Sequence, residues 1–228
     1  MNSSRDKILN AVKEAVKIPS RIPEKPEGIN AKIAESLKSI TPKDYAGLRD
    51  QFAKELDIVS GEFVLVKSAS ELVSHLSGDM KSKNFTSLAV SDEISSKNIA
   101  SHIKKELPEL EFVFPADLAP EQKKNKLAKT SAALVNIDFA VADVASLAVL
   151  IDNTKSLFIH YLPDCIYVVV KPEQILANLF ELFTKVPKEK AKNMLLITGP
   201  SRTADIEKIL ILGAHGPRRL VVYWLEEK

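Results

Sequence analysis

Residues 87–114, SLAVSDEISSKNIASHIKKELPELEFVF, read as strand, helix, strand. Ser87 to Val90 and Glu111 to Phe114 are the strands, the second closed by Pro115. Between them Ile99, Ile103 and Leu107 recur on one helical face. The same alternation extends both ways. Upstream, Phe63 to Val66 is a continuous apolar run, the mark of a strand covered on both faces, and a helix begun near Ser70 turns Leu72, Val73 and Leu76 inward. Downstream, Ala133 to Val141 and Leu147 to Ile151 are strand-like and close enough in sequence to pair as neighbours. Cys165 to Val170 is another strand. A helix from Pro172 would place Ile175, Leu179, Phe180 and Phe183 in a core. The pattern then runs strand Met194 to Thr198, helix Ala204 to Leu212, strand Leu220 to Leu225. Strands alternating with helices predict an α/β fold, a mostly parallel central sheet flanked by helices.

Before this body comes a different kind of sequence. Ile8, Val12 and Val16 form a helical stripe that stops at Pro19, with Pro23 and Pro26 following. A weaker helical patch, Ile33 and Leu37, leads to Thr41-Pro42, read as a cap and first helical position for a helix with Tyr45, Leu48, Phe52 and Leu56 on one face. Residues 1–40 are therefore expected to be a helical arm with a proline-rich linker, and residues 41–228 the α/β body. The arm's stripe must be covered, either by the body or by a partner protein.

Composition removes several functions. The 228 residues carry 32 Lys and Arg against 30 Asp and Glu, a net charge of +2, too balanced for bulk attraction to a polyanion. The lysine-rich stretch Glu121 to Lys129 has no interleaved aromatic residue, so it reads as a solvated helix face rather than a nucleic-acid surface. Cys165 is the single cysteine, which excludes a disulfide framework, a cysteine-rich zinc site and a four-thiolate cluster within this chain. Phe139 to Ile151 is the longest apolar run; it contains Asp143 and falls well short of the ~20 residues of a membrane span. Met1 to Lys17 is charged throughout and contains no signal peptide, so a cytoplasmic location is expected.

Two tail segments carry the candidate chemistry. Three of the seven glycines fall between Gly199 and Gly216, and Arg202, Arg218 and Arg219 are half of the six arginines. The segment 199–207, GPSRTADIE, is expected to join a buried strand to a helix. There Gly199, Ser201, Arg202 and Thr203 would hold a small anion against the helix N-terminus. The plainer alternative is that Ser201 or Thr203 caps the helix and Asp205 offsets its dipole. In the segment 213–218, GAHGPR, Gly213 reads as a helix C-cap, Gly216-Pro217 as a turn, and His215 as a candidate acid/base facing a cleft. His75, His102 and His160 show no metal-ligand spacing, so no metal site is expected. There is no dinucleotide or Walker fingerprint.

Together the two tail segments resemble the C-terminal signature of the LUD family, the family of lactate utilization protein C. The likeness reaches back through Leu162-Pro163-Asp164 and Tyr167 to Val170. The resemblance implies a fold similar to the sugar isomerase, CoA transferase and formyltetrahydrofolate cyclo-ligase group. It also implies a part in oxidising L-lactate to pyruvate, beside partner subunits that carry iron–sulfur clusters, with no cofactor bound by this chain alone. Many members have an acidic-Thr-Gly-Thr turn between two central strands. Here the matching residues are Asp143-Val144-Ala145-Ser146, which keep the acid and the final hydroxyl and lose the glycine. Asp143 joins the anion-site candidates on that basis. Two other classes stay open: an independent cyclo-ligase-like enzyme acting on a phosphate- or folate-bearing substrate, and a non-catalytic scaffold or regulator.

Overall fold

The computed structural model describes residues 4–17, 32–33, 35–36, 44–151, 156–187, 193–204, 210–212 and 216–226. The chain divides into two compact units, Met1–Ile40 and Thr41–Lys228. In the first, α1 (Ser4–Lys17) leaves Ile8, Leu9 and Val12 exposed. Pro19, Pro23, Pro26, Leu37, Thr41 and Pro42 lie outside the described residues.

The second unit begins with α2 (Tyr45–Ile58). Its cap is Asp44, whose carboxylate accepts from the Gly47 amide at 2.6 Å, so the helix starts later than Thr41-Pro42 implied. Leu48, Phe52 and Leu56 are buried, while Tyr45 is exposed. Next come β1 (Glu62–Val66), α3 (Ala69–Ser82), β2 (Ser87–Val90), α4 (Ile94–Glu106), β3 (Glu111–Val113), α5 (Pro120–Leu127) and β4 (Ala132–Val135). The chain continues through β5 (Phe139–Val141), β6 (Ser146–Leu150), β7 (Cys165–Val170), β8 (Ile175–Leu176) and α6 (Leu179–Lys185). It then forms β9 (Met194–Ile197), β10 (Arg202–Ala204), β11 (Leu210–Leu212) and β12 (Arg219–Leu225).

Six strands form an all-parallel central sheet in the order β1-β12-β7-β4-β2-β3, as the alternating pattern requires. Alternate residues of each strand feed opposite faces. Val66, Leu88, Leu134, Tyr167 and Tyr223 pack with α3 and α4, whereas Ala89, Val135, Val168 and Trp224 pack with α2, Leu127 and a second sheet. That second sheet, β8-β5-β6-β9, is mainly antiparallel, and Val141, Ala148 and Leu176 pack with Leu182 of α6.

Several expectations change. The run Ala133 to Val141 is two strands in two sheets. The Asn136 amide donates to Ser91 Oγ at 3.2 Å in the central sheet, and the Asp138 amide donates to the Ala148 carbonyl at 2.9 Å in the second. Phe63 and Val64 are only half-buried and Leu65 is exposed, because β1 is a sheet edge. After Pro172 the chain makes a 3-10 turn and the short β8 before α6, so Ile175 is a strand residue and Phe183 is exposed. The helix expected over Ala204 to Leu212 is replaced by the antiparallel pair β10 and β11. Among the described residues no helix is long and apolar enough to cross a membrane.

Candidate functional site

The Asp143–Ser146 turn links β5 to β6. Ala142–Val144 is a 3-10 turn, and Ala145 follows it at φ 46°, ψ 37°, in the left-handed region that favours glycine. Its Cβ, fully buried in the core, occupies the space a glycine would leave open. Left-handed backbone costs a residue with a Cβ about 1–2 kcal/mol. Removing the methyl would forfeit about 0.8 kcal/mol of burial and a comparable chain-entropy term. Ala145→Gly is therefore expected to change stability by less than about 0.5 kcal/mol, against a loss of about 1.5 kcal/mol for Ala148→Gly in β6, where only the adverse terms act. Urea denaturation of the two variants checks this; equal losses would mean that position 145 carries no strain.

Asp143 sits in that turn with its Oδ1 buried and no hydrogen-bond partner among the described residues. Its amide donates to the Ala177 carbonyl at 3.2 Å. Desolvation raises the Asp143 carboxyl above its usual range; its own backbone amide works against this and the charge of Glu55 on α2 adds to it. Three residues on, Ser146 Oγ lies 2.5 Å from Thr198 Oγ1, joining the turn to the end of β9.

The first tail segment begins there. Gly199 has φ 84°, and a Cβ on it would meet Val59 Cγ2 at 2.8 Å, so glycine is needed for both backbone and space. The Ser201 amide donates to the Pro217 carbonyl at 2.8 Å, and Gly216 backs onto Ser201. The Asp164 carbonyl accepts from the Arg218 and Arg219 amides at 2.8 and 3.1 Å, tying Leu162-Pro163-Asp164 to the second tail segment. The structure thus brings Asp143, Ser146, Gly199, Ser201 and Gly216 into one connected region, at the amino ends of β7 and β12. Arg202 and Thr203 are residues of β10, so the turn does not lead into a helix and the N–H cradle expected of a helix N-terminus is not formed there. Asp205, Gly213 and His215 lie outside the described residues.

Beside this region Arg219 bridges two carboxylates. Its Nε donates to Glu62 Oε1 at 2.5 Å, and its guanidinium pairs with Asp79, which also accepts from the Tyr167 hydroxyl at 2.5 Å. Burial alone would raise the Asp79 carboxyl; the Arg219 and Tyr167 hydrogen bonds and the arginine charge outweigh it and hold the group below the usual range. Cys165 is buried, and desolvation pushes its thiol up to about 12. A thiol raised in this way favours the protonated form at neutral pH, and it is the thiolate that acts as nucleophile or metal ligand.

The opposite, carboxyl-terminal edge of the sheet holds polar residues that pattern reading passed over. A cavity of about 360 Å³ is lined by Ser91, Asp92, Glu93, Pro115, Ser156 and His160. Asp92 Oδ1 and Ser156 Oγ are buried without a hydrogen bond among the described residues, the Lys97 ammonium standing 3.7 Å from Asp92. The available signal was an acidic pair directly after a buried strand. Among the described residues no group of three or more His, Cys, Asp or Glu is placed to hold a metal ion.

Fold and site together define a parallel α/β protein with a second antiparallel sheet against one face. The chain belongs to the LUD domain family, whose model matches residues 49–225. Lactate utilization protein C of Bacillus pumilus is 25% identical over 117 residues, 48% of this chain and 49% of that protein. The chain thus spans about half the length of that relative. The uncharacterized protein YkgG of Escherichia coli is 22% identical over 98% of this chain and 99% of its own. A crystal structure of a DUF162 family protein from Deinococcus radiodurans aligns with a TM-score of 0.60 at 18% identity, covering 81% of this chain and 99% of that one, which shows a shared fold.

Proposed function

We propose that this chain is a lactate utilization protein, the non-cluster subunit of a system that oxidises L-lactate to pyruvate with iron–sulfur partner subunits. Arg202, Ser201 and Thr203 hold the substrate carboxylate, Asp143 engages its hydroxyl, and His215 takes the hydroxyl proton. The hydrogen on the neighbouring carbon leaves with its electron pair to an acceptor on the partner subunits, the two electrons passing to their clusters and the second proton to solvent. The observation that carries the site is the buried Asp143 oxygen without a hydrogen bond, in a turn joined through Ser146 and Thr198 to the first tail segment. Relatives named lactate utilization protein C supply the substrate. Cys165, buried and protonated, supports placing the clusters elsewhere.

The test is affinity purification of the full chain from lactate-fed cells of its native host, with metal analysis and lactate-dependent dye reduction. An iron-containing partner and dye reduction by the assembly are expected. A folded chain that brings down no iron would overturn the reading.

The scaffold reading is favoured by one observation, the Ala145 Cβ filling space that a glycine would leave for a ligand. The cyclo-ligase-like reading loses support, because β10 and β11 replace the helix N-terminus that would have met a phosphate.

A further inference from the structure

Strands β6 and β9 run antiparallel with Leu147 opposite Ile197. The next residues in register, Ser146 and Thr198, therefore stand opposite each other at the end of the ladder, and side chains so placed meet on one face. Their hydroxyl oxygens are 2.5 Å apart. The backbone on both sides is constrained. Ala145 precedes Ser146 in the left-handed region, and Gly199 follows Thr198 at φ 84° with Val59 against it.

The two hydroxyls differ in their surroundings. Ser146 is 3% exposed, and Thr198 is its hydroxyl's one hydrogen-bond partner among the described residues, whereas Thr198 is exposed. A single proton fills the contact and one is left over. If Thr198 donated, the Ser146 proton would be left in the interior without an acceptor. If Ser146 donates, the remaining proton belongs to Thr198 and faces outward, which avoids a buried unsatisfied donor. An O–H whose oxygen already accepts a hydrogen bond is polarised and donates more strongly. Thr198 is thus an oriented donor directly before Gly199-Pro200-Ser201.

We propose that Thr198 donates this hydrogen bond to the substrate carboxylate, and that Ser146 is the positioning residue that keeps it turned outward. The contact rests on the lactate-oxidation reading and adds a residue to it. The carboxylate keeps its charge while the neighbouring carbon is oxidised, so the bond is equally strong before and during the reaction. Its loss belongs in KM rather than in kcat.

Lactate-dependent dye reduction by the assembled system, with a thermal midpoint for each variant, tests it. Thr198→Val keeps the shape and removes the donor; KM for L-lactate should rise about tenfold, the loss of one charge-assisted hydrogen bond, with kcat within about twofold. Thr198→Ser should restore KM. Thr198→Val also strands the Ser146 proton, so its midpoint should fall. Adding Ser146→Ala removes that stranded group, and the double variant should recover the midpoint while KM stays raised. An unchanged KM in Thr198→Val, or a KM that recovers together with the midpoint, would show a purely structural pair and overturn the proposed contact alone. A wild-type assembly without lactate-dependent turnover would instead remove the lactate reading, and this contact with it.

Discussion

Asp143→Asn is expected to keep the fold, raise its stability by up to about 1 kcal/mol and lower lactate turnover by the assembled system about a hundredfold. The stability gain follows from the buried oxygen that the native turn leaves without a hydrogen bond. Because desolvation and Glu55 lift the folded-state carboxyl above its unfolded value of 3.8, the folded chain holds its proton more tightly. The carboxyl's contribution is thus most favourable below that value and is lost as pH rises through the folded-state pKa. At neutral pH the wild type bears the whole penalty, and the amide, which does not ionise, bears none of that charge cost. Thermal denaturation at acidic and neutral pH should show the two proteins converging in acid. The functional loss follows from removing a carboxyl that can bond the substrate hydroxyl. A variant that gains stability and keeps full turnover would remove Asp143 from the site.

Arg219→Met should destabilise the body by about 2–4 kcal/mol, the range for breaking a largely desolvated ion pair. The guanidinium side chain is 22% exposed and Asp79 20%, so water replaces the lost partner poorly. The Tyr167 hydroxyl then remains as a donor to a stranded Asp79. The pH dependence has the opposite sign to that of Asp143. With the folded carboxyl held below 3.8, the Asp79 contribution is present above that value and is lost as pH falls through the lowered folded-state pKa. Urea denaturation should therefore show the gap between wild type and variant closing in acid. A gap that is the same at every pH would assign the loss to packing of the side-chain stem.

The central sheet was legible because its strands are short apolar runs buried on both faces, such as Ser87–Val90, Ala132–Val135 and Cys165–Val170. Two places were not. Leu210-Ile211-Leu212 is apolar at every position, so periodicity cannot separate helix from strand, and its pairing with Arg202–Ala204 settles it. The split between β4 and β5 depends on Asn136 and Asp138, whose amides bond to different sheets, a long-range fact with no local pattern. Of the candidate site, Gly199 was readable as a residue needing special backbone. Ala145 in the same left-handed conformation was not, since nothing in an alanine announces positive φ.

The position of β12 governs the order in which the body can be assembled during synthesis. In the central sheet β1 has one strand neighbour, β12, and residues 67–218 are made between them. Until Leu225 has left the ribosome, β1 has no edge to join, and its half-buried Phe63 and Val64 stay open to water or to other chains. A nascent chain halted short of residue 219 thus presents an unpaired strand and an unfilled slot beside β7, the kind of intermediate that chaperones hold and that aggregates when they do not.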